Sequence, residues 1–325
     1  MNTAIFAYIE ALLYFTRYYT CTGMAIALQT ISHDRLTRML NGGWCSQTLF
    51  LWVLSMLFDL EAGWLSLDDT IIEKPHSKWA GELAWGYSHT HKKPTFGLTV
   101  VLLVWSNGVF RIPIGYRVWK KGGDSKIILA LELLSDTRNR LKLRPDFICF
   151  DSWYPSKTLL KRITDYGWTF ICQVKKNRNF NGIALKNFKK HPYWNAIGRF
   201  SCGLKVKVVR HRRKYFATNR LSLDAKLMRK LYKKRQDVEE VFKVLKSELG
   251  AERCQAGYRR RKGEKPKWKK DGPQEHHLCL CLVTYLILER ERFERGVSLR
   301  KLRQELILRR QEVQLPTLSE LRDLA

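Results

Sequence analysis

From Trp64 to Val174 the apolar residues fall into a defined order of short runs, and this order limits the folds open to the chain. Trp64-Leu-Ser-Leu-Asp68-Asp69-Thr70 alternates apolar and polar residues, the period of a half-buried strand. Phe96 to Trp105 is a long apolar run. Ser106-Asn107-Gly108 supplies a hairpin turn, and Val109 to Val118 returns. Asp124 or Ser125 starts a helix expected to reach about Arg140. Phe147-Ile-Cys-Phe150 is a short buried strand ending at Asp151. Pro155 is placed in the first turn of a helix that closes at Gly167, and Trp168 to Val174 is a further strand. Three strands, a helix, a strand, a helix and a strand make an α/β domain with a mixed sheet.

Three other regions flank this core. Residues 1–62 read as helical. Thr22 is expected to cap a short helix through Leu28, and Ser32 a second one, Asp34 to Leu40, closed by Gly42-Gly43. A helix-turn-helix is one reading of this pair and a plain helical bundle is the other. In the first, Arg35, Thr37 and Arg38 face the major groove. Residues 175–220 are basic and strand-rich and read as an insertion before a long helix, expected from Ser222 to Gly250. Residues 253–325 start with a basic loop, with eight Lys or Arg among residues 259–270, and then turn helical. The α/β unit, with its insertion, is therefore placed at 63–252.

The charge narrows the partner. The chain of 325 residues carries 59 Lys and Arg against 30 Asp and Glu, a net charge of +29. Such an excess calls for a polyanion, most simply nucleic acid. Neither an RNP-type aromatic motif nor a KH-type GxxG loop in a suitable setting points to RNA. The eight cysteines are scattered, several within apolar runs, which fits free buried thiols and a reducing cytoplasm. His276-His277-Leu-Cys279-Leu-Cys281 matches no standard zinc spacing and reads as a buried helix. The N-terminus lacks the pattern of a signal peptide, and the apolar run Thr48 to Leu60 is too short to span a bilayer. No membrane partner is expected.

The candidate chemistry lies in four acids. Asp68 and Asp69 end the first strand, Asp151 ends the buried strand, and Glu239 sits on the long helix. Acids from neighbouring strand ends and a covering helix can converge on a pair of hard cations. Each also has an ordinary use as a turn or cap residue. Around Glu239, the run Tyr232-Lys-Lys-Arg235-Gln-Asp-Val-Glu239-Glu-Val-Phe-Lys-Val-Leu-Lys246 spaces Tyr232, Arg235, Glu239 and Lys246 by 3, 7 and 14 residues. On one helix they project within an arc of about 60°.

That spacing, Y-x2-R-x3-E-x6-K, resembles the signature of a subgroup of bacterial insertion-sequence transposases of the DDE type. Phe150-Asp151-Ser-Trp153-Tyr154 through Gly167-Trp-Thr-Phe-Ile-Cys-Gln-Val-Lys175 is similar to the segment around their second acid, and Phe216-Ala-Thr218-Asn219 to the strand before the signature helix. The resemblance covers about residues 60–290. It implies an RNase H-like mixed sheet flanked by helices, with a β-rich insertion before the last catalytic helix and a helical N-terminal domain. It also implies that Asp68, Asp151 and Glu239 bind two Mg²⁺ ions, with Mn²⁺ as a substitute. Thr70 favours Asp68 as the first ligand and keeps Asp69 as its rival, since the two side chains of a strand point to opposite faces. Tyr232, Arg235 and Lys246 would hold phosphates. The insertion, through Arg210, Arg212, Arg213 and Lys214, would touch DNA near the cut. Trp194 is read as a core residue, with base stacking as its alternative. The implied partners are double-stranded DNA, as terminal inverted repeats and target, and a second copy of the chain on paired ends in a bacterial, nucleoid-associated setting. The rival functions are an RNase H-like nuclease or recombinase without transposition, and a non-catalytic DNA-binding descendant.

Overall fold

The computed structural model describes residues 3–15, 19–77, 82–88, 91–188, 191–254, 256–257, 271–308 and 316–323. The basic run at 259–270 lies outside them.

Four helices come first: α1 (Thr3–Tyr14), α2 (Cys21–Leu28), α3 (His33–Leu40) and α4 (Ser46–Leu57). The cap of α2 is Thr20 rather than Thr22, because the Thr20 hydroxyl accepts from the Gly23 N–H at 3.0 Å. Ser32 caps α3 as expected, accepting from the Arg35 N–H. The apolar run near Thr48 forms the core helix α4. Among the described residues no helix is long and apolar enough to cross a membrane.

The sheet begins with β1 (Trp64–Glu73), β2 (Ala84–Ser88), β3 (Lys93–Ser106) and β4 (Arg111–Trp119). Next come α5 (Lys126–Asn139), β5 (Phe147–Phe150), α6 (Lys157–Asp165) and β6 (Phe170–Val174). β1 pairs with β3 antiparallel and with β5 parallel, and β5 pairs with β6 parallel. This is the RNase H-like mixed sheet. The caps follow local chemistry: Ser125 starts α5 and Ser156 starts α6, each by accepting an N–H three residues on. Pro155 thus lies just before the cap and not in the first turn. Gly167, with φ of +75°, closes α6 where a side chain would be strained.

The basic insertion contains β7 (Asn179–Phe180), β8 (Ile183–Ala184), α7 (Leu185–Phe188), β9 (Tyr193–Arg199), β10 (Lys205–His211) and β11 (Lys214–Thr218). It extends the main sheet. β11 pairs antiparallel with β6, and β10 and β9 continue outward to complete nine strands. Trp194 packs among Phe180, Phe188 and Tyr215, as a core residue does.

The expected single helix from Ser222 to Gly250 is two helices. α8 (Ala225–Tyr232) and α9 (Gln236–Ser247) are joined by a 3₁₀ turn at Lys233–Arg235. No Gly or Pro causes the break. Side chains from the strands below bond the backbone there: Ser66 Oγ donates to the Lys234 carbonyl at 2.9 Å and Cys149 Sγ to that of Leu231 at 3.6 Å. Beyond α9, Gly250 takes φ of +64°.

The chain ends with α10 (Pro273–Glu294), α11 (Leu299–Leu308) and α12 (Pro316–Asp323). α9 covers one face of the sheet and α5 the other. α10 packs against α1, α4 and α9, so the N-terminal helices share a hydrophobic core with the sheet. α10 is buried almost throughout, and its two histidines are bonded inside, whereas Gln274 Oε1 is buried without a hydrogen-bond partner. Both His276 ring nitrogens face carbonyls, of Leu40 at 2.7 Å and Trp44 at 2.9 Å, and His277 Nδ1 meets Tyr8 Oη at 2.8 Å. These partners explain the histidines without a metal. All eight cysteines are free thiols.

Candidate active site

The alternation of β1 sorts its side chains between two environments. Trp64, Ser66 and Asp68 point to the α8–α9 side: Trp64 Nε1 donates to Asp237 at 2.8 Å, and Asp68 Oδ2 accepts from Arg235 at 2.6 Å. Asp69 points to the α5 side. Its Oδ2 is 2.5 Å from Lys126 Nζ, and its Oδ1 accepts from the buried Tyr154 hydroxyl at 2.9 Å. Both Asp69 oxygens are therefore held by an ion pair and a phenol within the protein.

Strand register brings the second acid to Asp68. β1 and β5 run parallel with Leu67 opposite Phe150, where β5 ends, so Asp151 follows beside Asp68. Asp68 and Asp69 do not end β1 as expected but lie within it, paired with Leu102 and Val101 of β3 while the strand runs on to Glu73. Asp151 does not cap α6. Its Oδ1 accepts from the Trp153 N–H at 2.8 Å, which holds the turn after β5. Burial pushes the Asp68 carboxyl up to about 7; Arg235 pulls it down, and the charge of Asp151 pushes it up again.

The folded pKa of Asp68 lies above that of the unfolded chain. Folded Asp68 keeps a proton that the unfolded chain releases between about pH 4 and 7. Its contribution to stability is full below about pH 4 and is lost as pH rises through 7. Relative to Asp68→Asn, the wild type is expected to lose on the order of 2 kcal/mol of unfolding free energy between pH 4.5 and 7.5. Denaturant titrations of both proteins at each pH check this, and parallel curves would contradict it.

Glu239 comes to the cluster from α9. Arg235 bonds both Asp68 and Glu239, so one guanidinium stands between two of the three acids. The Glu239 side chain is 47% exposed. Among the described residues no group of three or more His, Cys, Asp or Glu side chains is placed to hold a metal ion. The donor chemistry is nonetheless that of a hard cation: carboxylate oxygens only, with Arg235 as the stand-in positive charge.

The remaining candidates occupy separate positions. Tyr232, at the end of α8, is half-buried against Phe216, and burial pushes its phenol up. Lys246 Nζ donates to the Ile71 carbonyl of β1 at 2.7 Å and pairs with Glu252 at 3.4 Å. Arg210, Arg212, Arg213 and Lys214 lie at the β10–β11 turn, where Arg210 packs over Tyr215. Since Tyr215 pairs with Val174 at the carboxyl end of β6, this turn lies at the Asp151 end of the sheet. Arg35, Thr37 and Arg38 are exposed on α3, which packs on α1, α2 and α10 away from the acids. Two members of the surroundings had no sequence signal as partners of Asp69: Lys126 at the start of α5 and Tyr154 after β5.

A mixed sheet with an aspartate on each of two adjacent parallel strands or just beyond, under a helix that carries Glu239 and the turn that carries Arg235, has the RNase H-like arrangement. Residues 62–265 match the transposase DDE domain family, and the chain belongs to that family. Among solved structures it is similar to the piggyBac transposase in a synaptic complex with hairpin DNA, at 15% identity and a TM-score of 0.55, covering 99% of this chain and 75% of that one. The Mos1 transposase in a paired-end complex with the left transposon end aligns at 15% identity over 51% of this chain and 57% of that one, with a TM-score of 0.20. No curated protein matches the chain.

Proposed function

We propose that the chain is the DNA transposase of a bacterial insertion sequence, cutting at the element ends and joining them to target DNA. The observation that carries this reading is the side-by-side placement of Asp68 and Asp151 beneath the helix of Glu239, in a chain of the transposase DDE domain family. Asp68, Asp151 and Glu239 would hold two Mg²⁺ or Mn²⁺ ions. When bound, the pair supplies the charge that activates water or a DNA 3′-hydroxyl and stabilises the leaving 3′-oxygen.

The chain's own residues do the rest. Arg235 balances Asp68 and Glu239 and, with cations bound to the acids, would be free to hold a phosphate oxygen. Lys246 offers a second cation along the same face of β1. Tyr232 presents a neutral phenol that can donate to phosphate. The turn at Arg210–Lys214 meets the backbone beside the cut, and α3 contacts DNA further away. Double-stranded DNA and a second copy of the chain on paired ends are the proposed partners. The naming of the piggyBac structure as a synaptic complex supports that assembly.

Glu239→Gln tests the reading. Cleavage of a duplex bearing the inverted repeats that flank the gene is expected to fall about 10³-fold, with DNA affinity unchanged. Wild-type binding is expected to weaken at least tenfold between 50 and 200 mM salt, read by fluorescence anisotropy. Retained cleavage by the variant would remove Glu239 from the site. A wild type that binds in a salt-dependent manner but never cuts would favour a non-catalytic DNA-binding protein, the reading that the Arg235 bridge also permits.

A further inference from the structure

Asp151 stands on a turn and not on a strand. β5 ends at Phe150 and α6 starts at Lys157, so residues 151–156 cross from strand to helix outside the ladder. Within the turn, the Trp153 N–H donates to the Asp151 carboxylate at 2.8 Å and the Ser156 N–H to the Tyr154 carbonyl at 2.5 Å. These bonds shape the turn but do not fix it against β1. The Tyr154 side chain does. It is fully buried, and its hydroxyl donates to Asp69 Oδ1 at 2.9 Å. A carboxylate only accepts, so the phenol is the donor. Asp69 cannot follow a moving turn. Its backbone is paired with Val101 of β3, and its Oδ2 is 2.5 Å from Lys126 Nζ at the start of α5. Lys126 also lies 5.3 Å from the centre of the Trp153 ring, a second tie between α5 and the turn.

We propose that Tyr154 is a positioning residue that sets the separation of Asp68 and Asp151, by bonding the turn after β5 to Asp69, the neighbour of Asp68 on β1. The inference rests on the proposed function, in which the two acids share cations. It gives the adjacent aspartates different tasks. Asp68, on the α9 side, supplies oxygens to the site. Asp69, on the α5 side, anchors the turn that carries the other acid to the same strand. Tyr154 follows Asp151 closely in the chain, so a phenol free to shift lets the acid shift with it. Hydrogen bonds behind the ligands of a metal fix where those ligands stand, and the loss of one typically weakens metal binding by about 10–100-fold. A phenol that served packing alone would cost stability when removed and leave cation affinity as it was.

The test reads Mn²⁺ binding to the full chain without DNA, from the electron paramagnetic resonance signal of the free ion. Wild type is expected to bind and Asp68→Asn to lose that binding, which ties the signal to this site. Tyr154→Phe is expected to bind Mn²⁺ about tenfold more weakly while it still melts cooperatively and binds duplex DNA in EDTA like wild type. Asp69→Asn keeps an acceptor for the phenol and should bind Mn²⁺ nearly as wild type does. Asp69→Ala removes the acceptor and should match Tyr154→Phe, with the double variant no weaker than either, because all three break one bond. If Tyr154→Phe binds Mn²⁺ as tightly as wild type, the positioning role is overturned while the cation site stands. Should Tyr154→Phe fail to fold, the two variants at 69 decide: equal affinity overturns the role, and a gap of about tenfold supports it. If wild type binds Mn²⁺ no better than Asp68→Asn, the cation reading fails first and the positioning role falls with it.

Discussion

Asp68→Asn is expected to lower strand cleavage by about 10³-fold, close to 4 kcal/mol of transition-state stabilisation, while Asp69→Asn lowers it by less than about tenfold. The two residues are adjacent in sequence, so the contrast isolates the face on which the chemistry sits. Asp68 shares the α9 side with Arg235 and, like Asp151, is the residue after the last β1–β5 pair, Leu67 and Phe150. Asp69 faces α5, and its oxygens are engaged by Lys126 and Tyr154. An amide at 69 can still accept from Tyr154 but leaves the Lys126 ammonium without its counter-charge. Its cost belongs to stability, about 1–2 kcal/mol for a pair that is mostly but not wholly buried. Cleavage assays paired with denaturant titrations separate the two effects. A larger loss of cleavage in Asp69→Asn than in Asp68→Asn would reverse the assignment.

Arg303→Ala is expected to cost about 3–5 kcal/mol of stability, the largest effect on folding that the structure points to. Arg303 on α11 is 1% exposed. It donates to the carbonyls of Leu12 and Leu13 at the end of α1 and to that of Glu248 after α9, the last at 2.9 Å. One guanidinium thus satisfies the free ends of two helices and ties the N-terminal helices to the signature helix. Burial pulls its pKa down, the cost of holding the charge inside. With Ala the carbonyls lose their donors, and the alkyl stem leaves a void. Scanning calorimetry would read the loss as a fall of about 10 °C in Tm, at roughly 2–4 °C per kcal/mol for a chain of this size. A shift under 2 °C would mean that water replaces the guanidinium freely.

Local signals carried much of the fold. The hairpin at Ser106–Gly108, the caps Ser32 and Ser125 and the stop at Gly167 depend on side chains or glycine acting over three or four residues. β2 was not legible because Trp85 and Tyr87 are exposed on a short edge strand whose ordering comes from pairing with β3. The sheet extension by β9–β11 was hidden because sequence shows strands without their partners. The break between Tyr232 and Gln236 was hidden for a related reason: its causes, Ser66 and Cys149, lie more than 80 residues away in the chain. Alternation told that Asp68 and Asp69 point apart. Which face the signature helix would cover is a tertiary fact, set by the packing of α9 on β1.

Under the proposed function, Asp68, Asp151 and Glu239 would form a cation site from which Arg235 withdraws. Anomalous diffraction from crystals of the chain soaked in Mn²⁺ tests it most directly. Anomalous density is expected between Asp68 and Asp151, with Glu239 released from Arg235 to join it. Density beside Asp69, or Glu239 still on Arg235 with no Mn²⁺ between the two aspartates, would contradict it.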